Sequence, residues 1–284
     1  MQFIKFHGFG NDYIVFEAER LAGVDSLNEF ARRVCDRHYG AGADGIAVVG
    51  RAEDGSADFL VRIFNADGSE AGLSGNGTRS AAAYLYYQGL WSREELRLAT
   101  RTGVKLYRLR ERMERGHYWF EAELGQPVFE SAVIPILTGE PLSRVIDYPL
   151  EVEGQTLRVT ALLMGNPNCC IFVEDFDQLD WRRVGRILES HRQFPDRTNV
   201  VFARVRDRDQ IELRIWERGV GETFSSGTGA CAAVVASIIN DKTERRVGVW
   251  MPGGRIDVWW REDGEVVMTG RADVVYSGEW LAGP

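Results

Sequence analysis

Cysteine and histidine are scarce in this sequence, and neither is arranged as a metal site or a disulfide framework. The 284 residues include four cysteines and four histidines. No two cysteines form a C-x-x-C pair, and the histidines are not spaced as zinc ligands. The phosphate-binding pattern G-x-x-x-x-G-K-[ST] and the metalloprotease pattern H-E-x-x-H are both missing. The sequence therefore predicts neither a metal site nor a bound cofactor.

Acidic residues outnumber basic residues, and the sequence has no long apolar run. The formal net charge is −8, which is the wrong sign for binding a phosphate backbone or an anionic membrane. The longest apolar stretch, residues 230–239, is too short to cross a bilayer, and the first residues lack the apolar core of a secretory signal. We expect a cytoplasmic protein that acts on a small molecule and has no nucleic-acid or membrane partner.

The sequence contains one internal repeat. A length of 284 residues is sufficient for two domains, so each copy can belong to a domain of its own. Residues 58–83 align without a gap with residues 210–235, at a shift of 152 positions. The identical pairs are Arg62/Arg214, Ile63/Ile215, Glu70/Glu222, Ser74/Ser226, Gly75/Gly227, Gly77/Gly229 and Ala81/Ala233. In each copy, alternating apolar residues predict a half-buried strand, and a glycine-rich loop leads to Ser-Gly-x-Gly and a run of helix formers.

The regions between the two copies are dominated by strand patterns, many of them close enough to form hairpins. Helices are predicted at residues 27–35 and 181–190, in comparable places of the two halves. These patterns predict an α+β protein with mostly antiparallel sheet. Residues 124–127, Leu-Gly-Gln-Pro, are the best candidate for a domain boundary.

The two Ser-Gly-x-Gly segments are the strongest functional signal in the sequence. A helix N-terminus carries unpaired N–H donors and about half a positive charge, so it binds a carboxylate, and glycine lets ligand atoms approach the backbone. A single such motif is adequately explained as a capped helix start. Because the motif occurs twice in the same context, we expect an amino-acid site with the α-carbon of the ligand between Ser74 and Ser226.

Several short segments follow one another along nearly the whole chain in the order of a known family. They are HGFGND (7–12), RIFNADGSE (62–70), GNGTR (75–79), MGNP (164–167), ESH (189–191), ERGVGET (217–223) and MPGG (251–254). The chain thus resembles the diaminopimelate epimerases, which are cofactor-independent amino-acid epimerases. The resemblance implies interconversion of LL- and meso-2,6-diaminopimelate by two-base α-proton transfer, in lysine and peptidoglycan precursor synthesis.

The resemblance also implies a particular architecture. It predicts two pseudo-symmetric domains, each a β-barrel-like sheet around a central helix, with the active site between them. The first domain would comprise residues 1–125, completed by 271–284, and the second residues 126–270. A homodimer is expected from the same resemblance.

The resemblance assigns roles to individual positions of this chain. Backbone amides would hold the reacting carboxylate and amine at Gly75, Asn76, Gly227 and Thr228. The distal amino-acid head would be held by Asn11, Asn65, Asn166, Asn199 and Arg218, of which the arginine suits bidentate carboxylate recognition. Glu217 would bind an ammonium group or assist proton transfer.

The chain departs from the family at the reacting groups themselves. The family uses two cysteines as its acid–base pair, and the matching positions here are Ser74 and Ser226. A helix N-terminus can lower a thiol pKa into the neutral range, whereas a serine hydroxyl needs an activating neighbour. Asn168 stands where the family has histidine, and Gly45 where it often has glutamine. These further changes favour natural divergence over an engineered pair of substitutions.

Three functions are compatible with this pattern. The first is a divergent diaminopimelate epimerase in which Ser74 and Ser226 transfer protons with help from Glu217. The second is another isomerase or dehydratase of the same superfamily acting on an amino acid, with a carboxylate such as Glu217, Glu70 or Glu222 as its base. The third is a non-catalytic amino-acid-binding homologue that has lost the thiol pair.

Overall fold

The computed structural model describes residues 1–52, 55–114 and 116–281, and the chain separates into two units. Unit one comprises Met1–Ala122 together with the segment that begins at Thr269, and unit two is Glu123–Met268. The last three residues of the predicted segment 271–284 lie outside the described residues. The structural division between the halves lies after Ala122.

Unit one is a ring of hydrogen-bonded strands with two α-helices and a short 3₁₀-helix, Ala18–Leu21. The strands are β1 (Gln2–Gly8), β2 (Asn11–Glu17), β3 (Gly45–Arg51), β4 (Phe59–Asn65), β5 (Glu70–Ala71), β6 (Glu95–Thr100), β7 (Gly103–Glu114) and β8 (His117–Glu123), and the helices are α1 (Leu27–Cys35) and α2 (Gly75–Tyr87). The strand order is β1-β2-β3-β4-β6-β7-β8. The final strand of the chain, Val266–Glu279, pairs with both β8 and β1 and closes the ring.

Unit two repeats this arrangement. Its strands are β9 (Val145–Val152), β10 (Gln155–Leu163), β11 (Pro167–Phe172), β12 (Asn199–Asp207), β13 (Gln210–Glu217), β14 (Gly221–Thr223), β15 (Arg246–Met251) and β16 (Gly254–Trp260), which makes the final strand β17. Its helices are α3 (Trp181–Glu189) and α4 (Gly227–Ile239). The strand order is β9-β10-β11-β12-β13-β15-β16.

The two units share one pattern of strand directions. From β1 to β7, omitting β5, successive pairs are antiparallel, parallel, antiparallel, parallel and antiparallel, and the pairs from β10 to β16, omitting β14, follow the same sequence. The expected α+β fold of two pseudo-symmetric, mostly antiparallel domains is thereby confirmed.

Helices α2 and α4 are the buried helices of their units. In α2 every residue from Asn76 to Tyr86 is buried, and in α4 every residue from Gly229 to Ser237. Alanine at many of these positions lets strands approach closely on all sides. Gly89 follows α2 with a φ of +71°, the left-handed conformation that ends many helices. Helices α1 and α3 are amphipathic and begin at the N-caps Ser26 and Asp180.

No helix in the described part of the chain is both long enough and apolar enough to span a membrane.

Candidate functional site

Ser74 begins helix α2 in unit one. Its backbone is extended (φ −132°, ψ 119°), and its Oγ accepts a hydrogen bond from the backbone N–H of Gly77 at 3.1 Å. Gly75 and Asn76 are the first residues of the helix, where backbone N–H groups have no partner within the helix. The predicted N-cap is confirmed. Hydroxyl oxygen, N–H donors and the positive end of the helix dipole therefore meet at one point.

Tyr13 contacts this serine directly. The Tyr13 hydroxyl lies 2.9 Å from Ser74 Oγ, and the tyrosine is 4% exposed. In the parallel pairing of β2 with β3, Tyr13 stands opposite Gly45, which in turn pairs with Asn65 of β4. Sequence reasoning missed Tyr13, because 61 residues separate it from Ser74. Unit one thus brings Ser74 and the predicted Asn65 to the ends of neighbouring elements.

Asn11 is held by a cluster of charged side chains. Its Nδ2 donates to Asp44 Oδ2 at 2.7 Å, and Arg37 bridges Asp44 and Asp12 at 2.8 and 2.9 Å. Burial opposes ionisation of Asp12, but hydrogen bonds from Arg37 and Lys5 outweigh it and hold the pKa of that carboxyl below its usual range. Burial raises the pKa of Asp44. The amide of Asn11 is therefore anchored to Asp44 through its Nδ2.

The side chains of Asn65 and Asn76 are engaged locally. Asn65 Nδ2 donates to Ser69 Oγ at 3.0 Å within the turn after β4. The side-chain oxygen Oδ1 of Asn76 accepts a hydrogen bond from Arg79 Nη2, and Arg79 Nε donates to the backbone carbonyl oxygen of Arg271 at 2.8 Å. Arg79 is fully buried, and burial lowers its pKa to about 10. The side chain of Asn76 is therefore occupied by Arg79.

Ser226 occupies the same position in unit two. It is extended (φ −140°, ψ 121°) and its Oγ accepts from the Gly229 N–H at 3.4 Å, with Gly227 and Thr228 as the first residues of α4. The serine is 6% exposed. Both predicted serines therefore have the same backbone conformation and the same capping bond.

A chain of asparagines lies at the start of β11 and β12. Asn168 Nδ2 donates to the carbonyl oxygen and Oδ1 of Asn166 at 2.7 and 3.0 Å, and Asn199 Nδ2 donates to Asn168 Oδ1 at 3.4 Å. Asn199 Oδ1 accepts the backbone N–H of Arg218 at 2.9 Å. Asn168 is fully buried. Unit two thus connects the predicted Asn166, Asn199 and Arg218 through a residue to which sequence reasoning gave no role.

Glu189 anchors the loop that follows β13 and carries Arg218. Its carboxylate accepts from Trp216 Nε1 at 2.9 Å and from the Gly219 N–H at 2.7 Å, and it pairs with Arg197 at 2.5 Å. Glu217 Oε1 accepts from the Thr223 hydroxyl at 3.3 Å. The ESH segment drew attention to Glu189, but its partners lie on distant parts of the sequence.

The two other candidate carboxylate bases are bound by arginines. Arg62 donates two hydrogen bonds to Glu70, at 2.9 and 3.1 Å, and Arg182 donates two to Glu222, at 2.6 and 2.8 Å. The Arg62 guanidinium lowers the pKa of Glu70. The ion pair therefore favours the ionised form of Glu70 and makes this carboxylate a weaker base.

The four cysteines are buried. Burial raises the pKa of Cys35 and Cys169 to about 12 and raises that of Cys170 and Cys231 as well. They are unreactive core residues. Among the described residues, no three histidine, cysteine or acidic side chains form a group that could hold a metal ion.

Solved structures of epimerases and related proteins share the fold of the whole chain. A phenazine biosynthesis protein of the PhzF family from Bacillus anthracis aligns over 99% of both chains, with a TM-score of 0.72 and 16% identity. A hydroxyproline epimerase from Agrobacterium vitis aligns over 98% of this chain and 90% of its own, with a TM-score of 0.68 and 16% identity. The architecture is thus one that epimerases use.

Sequence comparison identifies the family of this chain, whereas the solved structures show only its fold. The model of the diaminopimelate epimerase family matches residues 3–129 and 160–275. The diaminopimelate epimerase of Pelotomaculum thermopropionicum is 42% identical over 282 residues, and that of Moorella thermoacetica is 42% identical over 283 residues, each covering 99% of both chains. The chain belongs to the diaminopimelate epimerase family.

Proposed function

We propose that this protein interconverts LL- and meso-2,6-diaminopimelate by two-base α-proton transfer, with Ser74 and Ser226 as the proton-transfer groups. The observation that carries the proposal is the duplicated helix start, in which each unit fixes a serine hydroxyl at the positive end of its buried helix. The family relationship supplies the substrate. The product serves lysine and peptidoglycan precursor synthesis.

The same helix starts supply the binding groups for the reacting end of the substrate. In this proposal the backbone amides of Gly75, Asn76, Gly227 and Thr228 hold the α-carboxylate and α-amine. N–H donors at a helix N-terminus also stabilise the negative charge that develops when the α-proton leaves. No group from outside the chain is needed for that stabilisation.

The distal amino-acid head has its own set of polar residues. We assign its binding to Asn11, Asn65, Asn166, Asn199 and Arg218, with Glu217 taking the ammonium group or assisting proton transfer. The fixed amide of Asn11 and the Glu189-anchored loop support this assignment, because a rigid polar group loses little entropy when it binds.

Serine in place of cysteine sets a limit on the rate. A serine hydroxyl is a much weaker acid than a thiol, so very little of its basic form, the alkoxide, exists at neutral pH, and proton transfer depends on stabilisation of that charge by neighbouring groups. Each serine oxygen accepts a backbone N–H, which favours the charged form. We therefore expect epimerisation that is slower than a thiol pair would allow.

The decisive experiment is incubation with LL-diaminopimelate in D2O, with NMR detection of α-deuterium and chiral separation of the products. Deuterium incorporation together with meso product is the expected result. Binding without exchange would contradict the proposal and favour an amino-acid-binding homologue. Turnover of a hydroxylated or unsaturated amino acid, without exchange into diaminopimelate, would favour another isomerase or a dehydratase.

Introducing thiols tests the assignment of the two serines. The double variant Ser74→Cys/Ser226→Cys should epimerise faster than the unmodified chain. The matched control Ser92→Cys/Ser143→Cys changes one exposed serine in each unit and should leave the rate unchanged. An unchanged rate in the first variant would mean that the hydroxyls do not limit the reaction.

We further propose that the protein acts in the cytoplasm as a homodimer. The family relationship supports both statements, and four reduced, buried thiols suit a reducing compartment. Sedimentation equilibrium at micromolar concentration tests the dimer, and a single monomeric species would contradict it. Cell fractionation tests the compartment.

A further inference from the structure

We propose that Tyr13 is the positioning residue that makes Ser74 competent in proton transfer, by passing its phenolic proton to and from Ser74 Oγ. The inference rests on the proposed function, in which Ser74 exchanges a proton with the substrate. Its starting point is the 2.9 Å hydrogen bond between the two hydroxyl groups.

The position of the Tyr13 ring is set by two glycines. A Cβ atom on Gly45 would lie 2.7 Å from Tyr13 Cε1, and a Cβ on Gly77 would lie 2.9 Å from the same atom. The ring therefore occupies a slot that exists only because β3 and α2 carry glycine at these positions. Gly77 also donates its N–H to Ser74 Oγ. One short segment of α2 thus holds the serine oxygen and makes room for the phenol.

Proton transfer through Ser74 and Tyr13 breaks two bonds to hydrogen and forms two. When Ser74 protonates the α-carbanion, the Oγ–H bond breaks and the C–H bond forms, while the phenolic O–H bond breaks and a new Oγ–H bond forms. The negative charge moves from carbon to the phenol oxygen, and the serine remains neutral. The reverse step returns every proton to its origin. A phenol, with a reference pKa of about 10, carries that charge more readily than an aliphatic hydroxyl.

Unit two has a different residue at the corresponding place. Tyr13 stands opposite Gly45 in the β2–β3 pair, and Asn168 stands opposite Asn199 in the β11–β12 pair. The Asn168 amide is bonded to Asn166 and Asn199, and an amide does not titrate in the accessible range. The two serines are therefore chemically unequal, and Ser74 has the stronger proton relay.

A thiol placed at position 74 reports on the phenol without any need for catalysis. In Ser74→Cys, the phenol donates to the thiolate and lowers its pKa, whereas the four native thiols stay buried and protonated. Adding Tyr13→Phe should raise the titration midpoint of iodoacetamide alkylation by about one pH unit, the equivalent of one hydrogen bond to a charged group. Adding Tyr107→Phe instead, which removes a phenol bonded to Thr78 of the same helix, should leave the midpoint unchanged. Equal midpoints for Tyr13→Phe and its parent would overturn the inference.

Catalysis supplies the second readout. In the chain with Ser74, Tyr13→Phe should lower kcat for α-proton exchange about 100-fold with little change in KM, as for loss of a general acid–base group. In the Ser74→Cys background the loss should shrink to less than about fivefold, because a thiol needs the relay less. An equal loss in both backgrounds would show that Tyr13 acts only through packing and would overturn the relay. Absence of exchange in the unmodified chain refutes the proposed function, and the thiol titration still decides the Tyr13 contact.

Discussion

Replacing Glu189 by glutamine should destabilise unit two and loosen the loop that carries Arg218. The side chain is 8% exposed and its two oxygens accept from Trp216 Nε1, the Gly219 N–H and Arg197. A glutamine of the same shape must place its NH2 group against one of these donors. Whichever orientation it adopts, at least one donor loses its acceptor.

The size of the effect follows from the separate contacts. A hydrogen bond to a charged acceptor contributes about 1.5–3 kcal/mol. The Arg197 side chain is 50% exposed, so solvent screening reduces its ion pair to about 1 kcal/mol or less. We expect Glu189→Gln to lower the free energy of unfolding by about 2–4 kcal/mol. Because Arg218 is next to the released Gly219, KM for diaminopimelate should rise more than kcat falls.

Urea unfolding followed by tryptophan fluorescence and circular dichroism measures the loss. Glu153→Gln is the matched control, since Glu153 forms an exposed ion pair with Arg183 in the same unit. The control should not move the unfolding midpoint. The reasoning is refuted if Glu189→Gln unfolds at the same urea concentration as its parent, or if kcat falls while KM is unchanged.

Three further results are expected. Gly45→Ala should cost about 1–3 kcal/mol of stability, because its Cβ would lie 2.6 Å from the Phe64 carbonyl oxygen, whereas Gly23→Ala has open space and should fold normally by the same urea assay. Ser226→Ala should lower stability by about 1 kcal/mol through loss of the helix cap, and unchanged thermal unfolding would contradict that cap. Burial raises the pKa of Cys231 in the folded protein above its value in the unfolded chain. The stability gained by keeping this thiol protonated is therefore fully present below the pKa of the unfolded chain, and it is lost as the pH rises through the pKa of the folded protein. The unfolding free energy should fall by about 1.4 kcal/mol per pH unit for this thiol above about pH 8.5, and Cys231→Ala should flatten the slope of urea midpoint against pH; parallel slopes would argue against it.

Local patterns in the sequence predicted the elements well. Helices α1 and α3 appear where apolar spacing placed them, and both Ser-Gly-x-Gly segments begin buried helices. These features depend on residues within a few positions of one another, so the sequence displays them directly. The gap-free repeat then predicted that the two halves share one architecture.

Contacts between distant segments were not predictable in the same way. The Tyr13–Ser74 bond spans 61 residues and the Glu189–Gly219 bond spans 30, so no local pattern indicates either. The parallel pairing of β2 with β3 brings Tyr13 beside Gly45, and that register arises only when the sheet forms. The sequence does contain one indication of Tyr13. When Gly10-Asn11 is aligned with Gly165-Asn166, Tyr13 of the first half corresponds to Asn168 of the second, which is a chemical difference between the halves.

The closing strand β17 has a consequence for the order in which the protein can mature during synthesis. Unit two is one continuous stretch, Glu123–Met268, whereas the N-terminal strand β1 of unit one pairs with residues 273–279. A ribosome adding about 5–20 residues per second needs roughly eight to thirty seconds to extend the chain from the end of β8 to that partner strand. During this interval unit two can fold on the nascent chain while one edge of β1 waits unpaired. Unit one is therefore synthesised first but completed last. A chain released before residue 273 retains an open sheet edge of the kind that promotes aggregation.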